Sequence, residues 1–374
     1  MKPQVMVCCF CENWGCGGIE SFLCNILCRI DPDKVSVDLV ASHLGESVFT
    51  EPMRTHGIQF YELSGSTQNI LKNHRLFRQL MREKQYDVIH LNLYHGVSLS
   101  YAALAKKAGI PIRIVHSHNT ALRNSFTKPL KLCAHYLAKE IYAKDATDFW
   151  ACSSQAAAFL FPRKQAEAFR WIPNGIETEK FCFDPTQREA VRRKLGFADA
   201  FVIGHIGRLC QQKNQAFLLE IFAEILQQAP NSRLLLVGSG EAENALKAKA
   251  EILQIADKTF FYGISDHPEQ LLWAMDVFVL PSLFEGLPVT AVEAQAAGLP
   301  CVLSDDITSE CKISESVFFC DRTERRSVWA NQILTAAQPT GDRSTVARQA
   351  SSSCFEIKTV SNKIQQFYES FPRR

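Results

Sequence analysis

No stretch of this sequence offers the roughly twenty consecutive apolar residues that a helix needs to cross a bilayer. The apolar run Val5 to Phe10 is far too short, and Met1-Lys2-Pro3-Gln4 before it lacks the build of a secretory leader. A cytoplasmic protein is expected. Net charge is also scarce: +2 over 374 residues gives no electrostatic case for a nucleic-acid partner. The residual charge is uneven, with residues 1–171 mildly basic and the remainder mildly acidic. The basic half would suit an anionic acceptor or a membrane surface. No G-x-G-x-x-G follows a strand with an acid about twenty residues on, as dinucleotide binding requires. The nearest candidate, "GSGEAE", has Glu243 where the third glycine belongs. No Asp-x-Asp pair is placed to hold a divalent metal between phosphates, and adjacent Asp305 and Asp306 read as turn composition. Cysteine is not scarce, but without a leader the fourteen thiols are expected to stay reduced. The cluster Cys8, Cys9, Cys11 and Cys16 lacks a second ligand pair and a nearby His, so no metal is expected there. Cys8 and Cys9 fall inside a strand pattern, as small buried hydrophobes.

What the chain has is periodicity. At 374 residues it exceeds the size at which one core keeps growing, and 47% hydrophobic residues can fill two. Strands are expected at Gln4–Phe10, Val35–Ala41, Val88–Leu91, Ile112–Ser117 and Phe149–Cys152. A second series follows at Val202–Ile206, Arg233–Val237, Thr259–Phe261, Val277–Pro281 and Cys301–Ser304. Amphipathic helical stretches alternate with them. The pattern predicts an α/β protein of two Rossmann-like domains, with parallel sheets facing across a cleft. Turn chemistry at Pro173-Asn174-Gly175 sets the expected domains at 1–171 and 172–357. The tail, about 358–374, reads as an amphipathic helix that packs back on the first domain.

Three stretches suit phosphate. Gly17-Gly18-Ile19-Glu20 opens a helix directly after the first strand. Its glycines let backbone approach a ligand, and the helix N-terminus adds N–H groups and positive dipole. Alone, such a pair is often a plain turn. Gly204-His205-Ile206-Gly207-Arg208 ends the first strand of the second domain, where α/β sheets place ligands. Arg208 offers a planar fork and Lys213 a mobile charge, a pair suited to linked phosphates or simply to a solvated loop. The third stretch runs from Pro281 through Glu285, Gly286, Leu287, Pro288 and Val289 to Glu293, stopping at Gly298. Glu293 stands five residues beyond Pro288, roughly 7.5 Å of helical rise. The two carboxylates can therefore serve opposite ends of an extended ligand, with the N–H groups of Leu287 and Val289 facing phosphate between them. Gly238 and Ile264 end further strands, where their backbones could cradle a diphosphate and a base. His116 and His118 close the strand Ile112–Ser117 on one face; a lone strand histidine is usually structural, and His118 is the one placed to reach the cleft.

"GGIE", "VHSHNT", "GRLCQQKN" and "EGLPVTAVE", in this order, resemble glycosyltransferase family 4 with its GT-B fold. The resemblance spans nearly the whole chain, is closest to enzymes of bacterial capsular and exopolysaccharide biosynthesis, and is most specific in Glu-x7-Glu with upstream Arg and Lys. It implies a retaining hexosyltransferase using a nucleotide sugar, with uridine the expected base, and no metal and no cofactor. The acceptor it implies is a saccharide or lipid-linked saccharide. It puts Arg208 and Lys213 on the diphosphate, Gly17 and Gly18 against the phosphates, and Glu293 on the ribose. His118 and Glu285, both at the donor sugar, are the catalytic candidates.

Two other readings compete: a dinucleotide-dependent oxidoreductase, and a non-catalytic sugar-nucleotide-binding subunit. The first lacks its fingerprint, and the joint presence of His118, Arg208, Lys213, Glu285 and Glu293 opposes the second. Between Arg123 and Lys144, the cations Arg123, Lys128, Lys131, Lys139 and Lys144 interleave with Leu130, Leu132, Tyr136, Leu137 and Ile141. Such a helix could rest on the inner face of a membrane or be an ordinary half-buried helix.

Overall fold

The computed structural model describes residues 5–122, 128–337, 343–345, 347 and 353–371. The chain divides into two compact units, Met1–Gly175 with Ile357–Arg374, and Ile176–Glu356.

The first unit is built on seven parallel strands: β1 (Val5–Trp14), β2 (Val35–Leu44), β3 (Gln59–Glu62), β4 (Val88–Leu93), β5 (Ile112–Ser117), β6 (Asp148–Ala151) and β7 (Arg170–Trp171). Their order is β3-β2-β1-β4-β5-β6-β7. Every residue of β4 is buried, as expected of a central parallel strand covered by helices on both faces. Cys8, Cys9 and Cys11 of β1 are fully buried too. Helix Ile357–Glu369 joins this unit, sinking Ile357, Val360, Ile364 and Tyr368 into the core that β1, β2 and helix Gly18–Leu27 line.

The second unit has six parallel strands: β8 (Phe201–Ile206), β9 (Ser232–Val237), β10 (Thr259–Gly263), β11 (Val277–Leu280), β12 (Cys301–Ser304) and β13 (Val317–Cys320). Their order is β10-β9-β8-β11-β12-β13. Gly204 lets β8 lie tight against Met275, whose sulfur would stand 1.9 Å from any Cβ added there.

Strands β3, β7 and β13 were not expected. β3 is a short edge strand without a fully buried residue, β7 is only two residues long, and β13 is an edge strand of four. Each is too short for side-chain alternation to register, and each forms because a longer neighbour offers unpaired backbone. In both sheets the strand order reverses beside the first strand, between β1 and β4 and between β8 and β11. Open α/β sheets bind ligands at the carboxyl ends of the strands flanking such a reversal. Among the described residues, no helix is long and apolar enough to cross a membrane.

Candidate active site

In the second unit the loops that leave β8 and β11 meet at the reversal. The Leu283 N–H donates to the Gln212 carbonyl (2.8 Å), Gln212 Nε2 to the Phe284 carbonyl (3.0 Å) and Asn214 Nδ2 to the Pro281 carbonyl (3.2 Å). Asn214 adopts φ +57°, a left-handed conformation that its short amide side chain tolerates. These bonds set Lys213 beside Glu285, Nζ to Oε1 at 2.6 Å, with both side chains mostly buried. The predicted phosphate cation and the predicted sugar carboxylate are therefore one ion pair. Arg208 reaches a different acid: its Nε lies 3.0 Å from Glu241 Oε2, and both side chains remain more than half exposed.

Helix Val289–Ala296 begins directly after Pro288, as its fixed φ favours. Ser282 Oγ and Thr290 Oγ1 are buried hydroxyl oxygens there without a protein partner. Buried hydroxyls normally have one. No local pattern singles these two out from the chain's many Ser and Thr. Glu293 lies on the second turn, where burial pushes its carboxyl from 4.5 up to about 7; Lys180 pulls it down and Glu269 pushes it further up.

Two further predicted donor contacts look different in place. The Gly238 N–H donates to the Gly263 carbonyl at 2.7 Å, and any Cβ on Gly238 would meet the Gly207 carbonyl at 2.2 Å. That glycine serves the close approach of two backbones, and its N–H is not offered to a ligand. Ile264 is 75% exposed beyond it.

In the first unit the glycine loop turns inward. Glu20 is 3% exposed, and a Cβ on Gly17 would fall 2.6 Å from its Oε2. Burial raises the Glu20 carboxyl above its ordinary value, opposed by the N–H groups of Glu20, Gly15 and Gly17. The Gly17 amide expected to meet phosphate thus faces the chain's own carboxylate, whereas Gly18 has open space around it.

His118, just past β5, is partly exposed, and its Nε2 lies 2.9 Å from Asn92 Oδ1. Desolvation lowers its pKa to about 3, opposed by the neighbouring Asn174 side chain, so the ring is neutral at physiological pH. His116 is fully buried behind it, ring centroids 4.0 Å apart. His116 Nδ1 contacts His90 Nε2 at 3.0 Å, and His90 Nδ1 contacts the Tyr368 hydroxyl at 2.6 Å. A file of buried rings therefore connects the C-terminal helix to His118.

Helix Lys128–Tyr142 exposes Leu130, Tyr136, Leu137 and Ile141. Lys139 does not share that face; it is buried and donates to the Ala158 and Phe159 carbonyls. Arg123 lies outside the described residues.

Known proteins bear on these two units. The family described as Glycosyltransferase Family 4 matches residues 16–180, and that described as Glycosyl transferases group 1 matches residues 187–328. A Bacillus subtilis (strain 168) protein named as glycosyltransferase EpsF is 33% identical over 330 residues, covering 86% of this chain and 85% of that protein. The Escherichia coli UDP-Gal:alpha-D-GlcNAc-diphosphoundecaprenol alpha-1,3-galactosyltransferase is 30% identical over 246 residues, 63% of this chain and 62% of its own. The crystal structure of Anabaena Alr3699/HepE in complex with UDP-glucose matches at a TM-score of 0.80 and 22% identity, over 98% of this chain and all (100%) of that one. That likeness concerns the fold, which is GT-B. With its two parallel sheets and matches along both units, this chain belongs to glycosyltransferase family 4 and is a glycosyltransferase.

Proposed function

We propose that this chain is a retaining hexosyltransferase that moves a sugar from a UDP-sugar onto a lipid-linked saccharide during cell-surface polysaccharide assembly. The observation that carries the reading is the Lys213–Glu285 pair at the β8/β11 reversal, beside the first turn of helix Val289–Ala296. The UDP donor and the lipid diphosphate acceptor are supported by the substrate named for the Escherichia coli relative. Retention is supported by the Glu-x7-Glu resemblance.

As the nucleoside diphosphate departs, negative charge grows on its terminal phosphate. Lys213, Arg208 and the helix N-terminus would stabilise it where it develops. Glu285, released from Lys213, would hold hydroxyls of the transferred sugar, and Glu293 those of the ribose. His118, neutral and fixed by Asn92, would orient another sugar hydroxyl without adding charge beside the cationic anomeric carbon. The acceptor hydroxyl would attack from the side the leaving group vacates. No carboxylate is assigned as a covalent nucleophile.

Calorimetric titration of UDP against Arg208→Ala and Lys213→Ala, each with and without a chelator, tests this reading. Each variant is expected to lose roughly 1.5–3 kcal/mol of binding, as charge-assisted hydrogen bonds to phosphate contribute. The chelator is expected to change neither binding nor turnover. Undiminished affinity in both variants, or turnover lost to the chelator alone, would overturn it.

A further inference from the structure

Two buried polar side chains that take no part in the proposed donor contacts support the loop carrying Arg208 and Lys213. His205, from β8, is fully buried, and Gln215, the first residue of helix Gln215–Gln228, is 1% exposed. His205 Nδ1 stands 2.9 Å from the Val279 carbonyl of β11, and its Nε2 stands 3.0 Å from Gln215 Nε2. Gln215 Nε2 also donates to the Arg208 carbonyl at 2.8 Å. A Cβ on Gly207 would meet His205 Nε2 at 3.3 Å and Lys213 Cε at 3.4 Å, so the ring and the lysine stem border the same glycine.

Only one placement of hydrogens satisfies these contacts. A carbonyl can only accept, so Val279 requires the proton of His205 on Nδ1. For the same reason Arg208 requires the amide nitrogen of Gln215, not its oxygen. The bare Nε2 of the ring then accepts the second amide hydrogen. A charged ring would turn an N–H against that amide; burial first, and Lys213 after it, bring the ring's pKa down to about 4. The chain of bonds ends on a peptide plane held at both sides. The Arg208 carbonyl accepts from Gln215, and the Leu209 N–H of the same plane donates to the Ser239 carbonyl at 2.9 Å. Fixing that plane fixes the direction in which the Arg208 side chain leaves the loop. Gln215 Oε1 is buried without a protein partner, a cost to stability that an apolar side chain of the same size would avoid. Packing alone does not account for an amide at this place.

We propose that His205 and Gln215 are positioning residues for the donor diphosphate, holding the Arg208–Leu209 peptide so that Arg208 and Lys213 are set before the leaving phosphate gains charge. The proposal rests on the transferase reading.

Titrations of UDP and of uridine, followed by NMR, test it on the full chain and on His205→Phe, His205→Gln and Gln215→Met. Phe keeps a ring without hydrogen-bonding atoms, and Gln restores a donor and an acceptor in place of the two ring nitrogens. Met keeps the length of Gln215 without its amide. His205→Phe and Gln215→Met are each expected to weaken UDP about tenfold and to leave uridine, which lacks the phosphates, unchanged. His205→Gln is expected to recover most of the loss. UDP affinity that holds in Gln215→Met, or UDP and uridine weakened together in it, overturns the proposal. So does a His205→Gln protein that binds UDP no better than His205→Phe. Imidazole nitrogen chemical shifts give a readout that needs no UDP. The His205 signals, identified by their loss in His205→Gln, are expected to show the proton on Nδ1, and a proton on Nε2 overturns the hydrogen-bond chain. Failure of the transferase reading would look different: a native chain with the Nδ1 proton that neither binds UDP nor turns over nucleotide sugar.

Discussion

Glu285 and Glu293 differ in what surrounds them, and that difference gives a way to test the two roles proposed for them. Glu285 is held by a cation 2.6 Å away, whereas burial leaves Glu293 with a carboxyl that titrates at about 7. A raised carboxyl pKa means that the folded state binds the proton more tightly than the unfolded chain. Stability should therefore fall as pH rises from 4.5 to about 7, then level off. At most the loss is about 3 kcal/mol, following from 1.36 kcal/mol per pKa unit. Glu293→Gln should flatten that slope in chemical denaturation at pH 5 and pH 8. An unchanged slope would mean that Glu293 titrates as an ordinary surface acid. UDP binding gives an independent contrast. If Glu293 holds ribose, Glu293→Ala weakens UDP and intact donor alike, a uniform effect read mainly in KM. If Glu285 orients the transferred sugar, Glu285→Ala should leave UDP affinity nearly intact and lower kcat, because that sugar gains charge only as the bond breaks. The opposite pattern reverses the two roles.

Helix Ile357–Glu369 is far along the chain from the strands it covers, yet the first unit depends on it. It buries four large side chains in that core, and Tyr368 starts the file of rings that ends at His118. Ile364→Ala should cost about 2–5 kcal/mol of stability in that unit, as buried truncations do. Tyr368→Phe should cost only about 1 kcal/mol, one hydrogen bond. If the ring file positions His118, the Phe variant also lowers kcat while leaving the KM for donor unchanged. Normal kcat with lowered stability would leave Tyr368 a packing residue. The helix itself was legible as an amphipathic tail, and ten of the strands were legible as apolar runs of strand length. Local pattern carries that much because parallel strands are buried along their whole length. The second Glu of Glu-x7-Glu, placed inside its helix by Pro288 and Gly298, was legible for the same local reason. What stayed hidden depends on partners distant in sequence. His205 meets the Val279 carbonyl across 74 positions, and nothing near His205 distinguishes it from any other strand histidine. Glu20 was visible within "GGIE", but its return into the glycine loop is a matter of side-chain direction, which spacing does not encode. The Lys213–Glu285 and Arg208–Glu241 pairs likewise close only when separate strand ends are brought to one edge.

At the scale of the whole molecule, the proposed acceptor, a saccharide on a lipid diphosphate, would stay at a membrane surface, yet among the described residues no helix can span one. Helix Lys128–Tyr142 offers a surface contact instead. Leu130 (74% exposed), Leu137 (61%) and Ile141 (52%) recur at seven- and four-residue spacing, which keeps them on one face, and exposed Lys131 and Lys144 stand near its ends. Buried His135 and Lys139 tie the opposite face down: Gly96 N–H donates to His135 Nδ1 at 2.8 Å, and Lys139 donates to carbonyls of the helix after β6. A helix so anchored can press its apolar stripe into headgroups without unfolding. Cations near an anionic surface add about 1 kcal/mol each, screened by salt. The expected result is flotation with vesicles containing phosphatidylglycerol, less with phosphatidylcholine alone, and a decline as salt is raised. Leu137→Glu, at an exposed site where folding is indifferent to the change, should abolish flotation while UDP affinity stays the same. Equal failure to float with both vesicle types would remove the membrane contact and leave transfer to a soluble acceptor. Flotation that Leu137→Glu does not weaken would place the contact on another face of the protein.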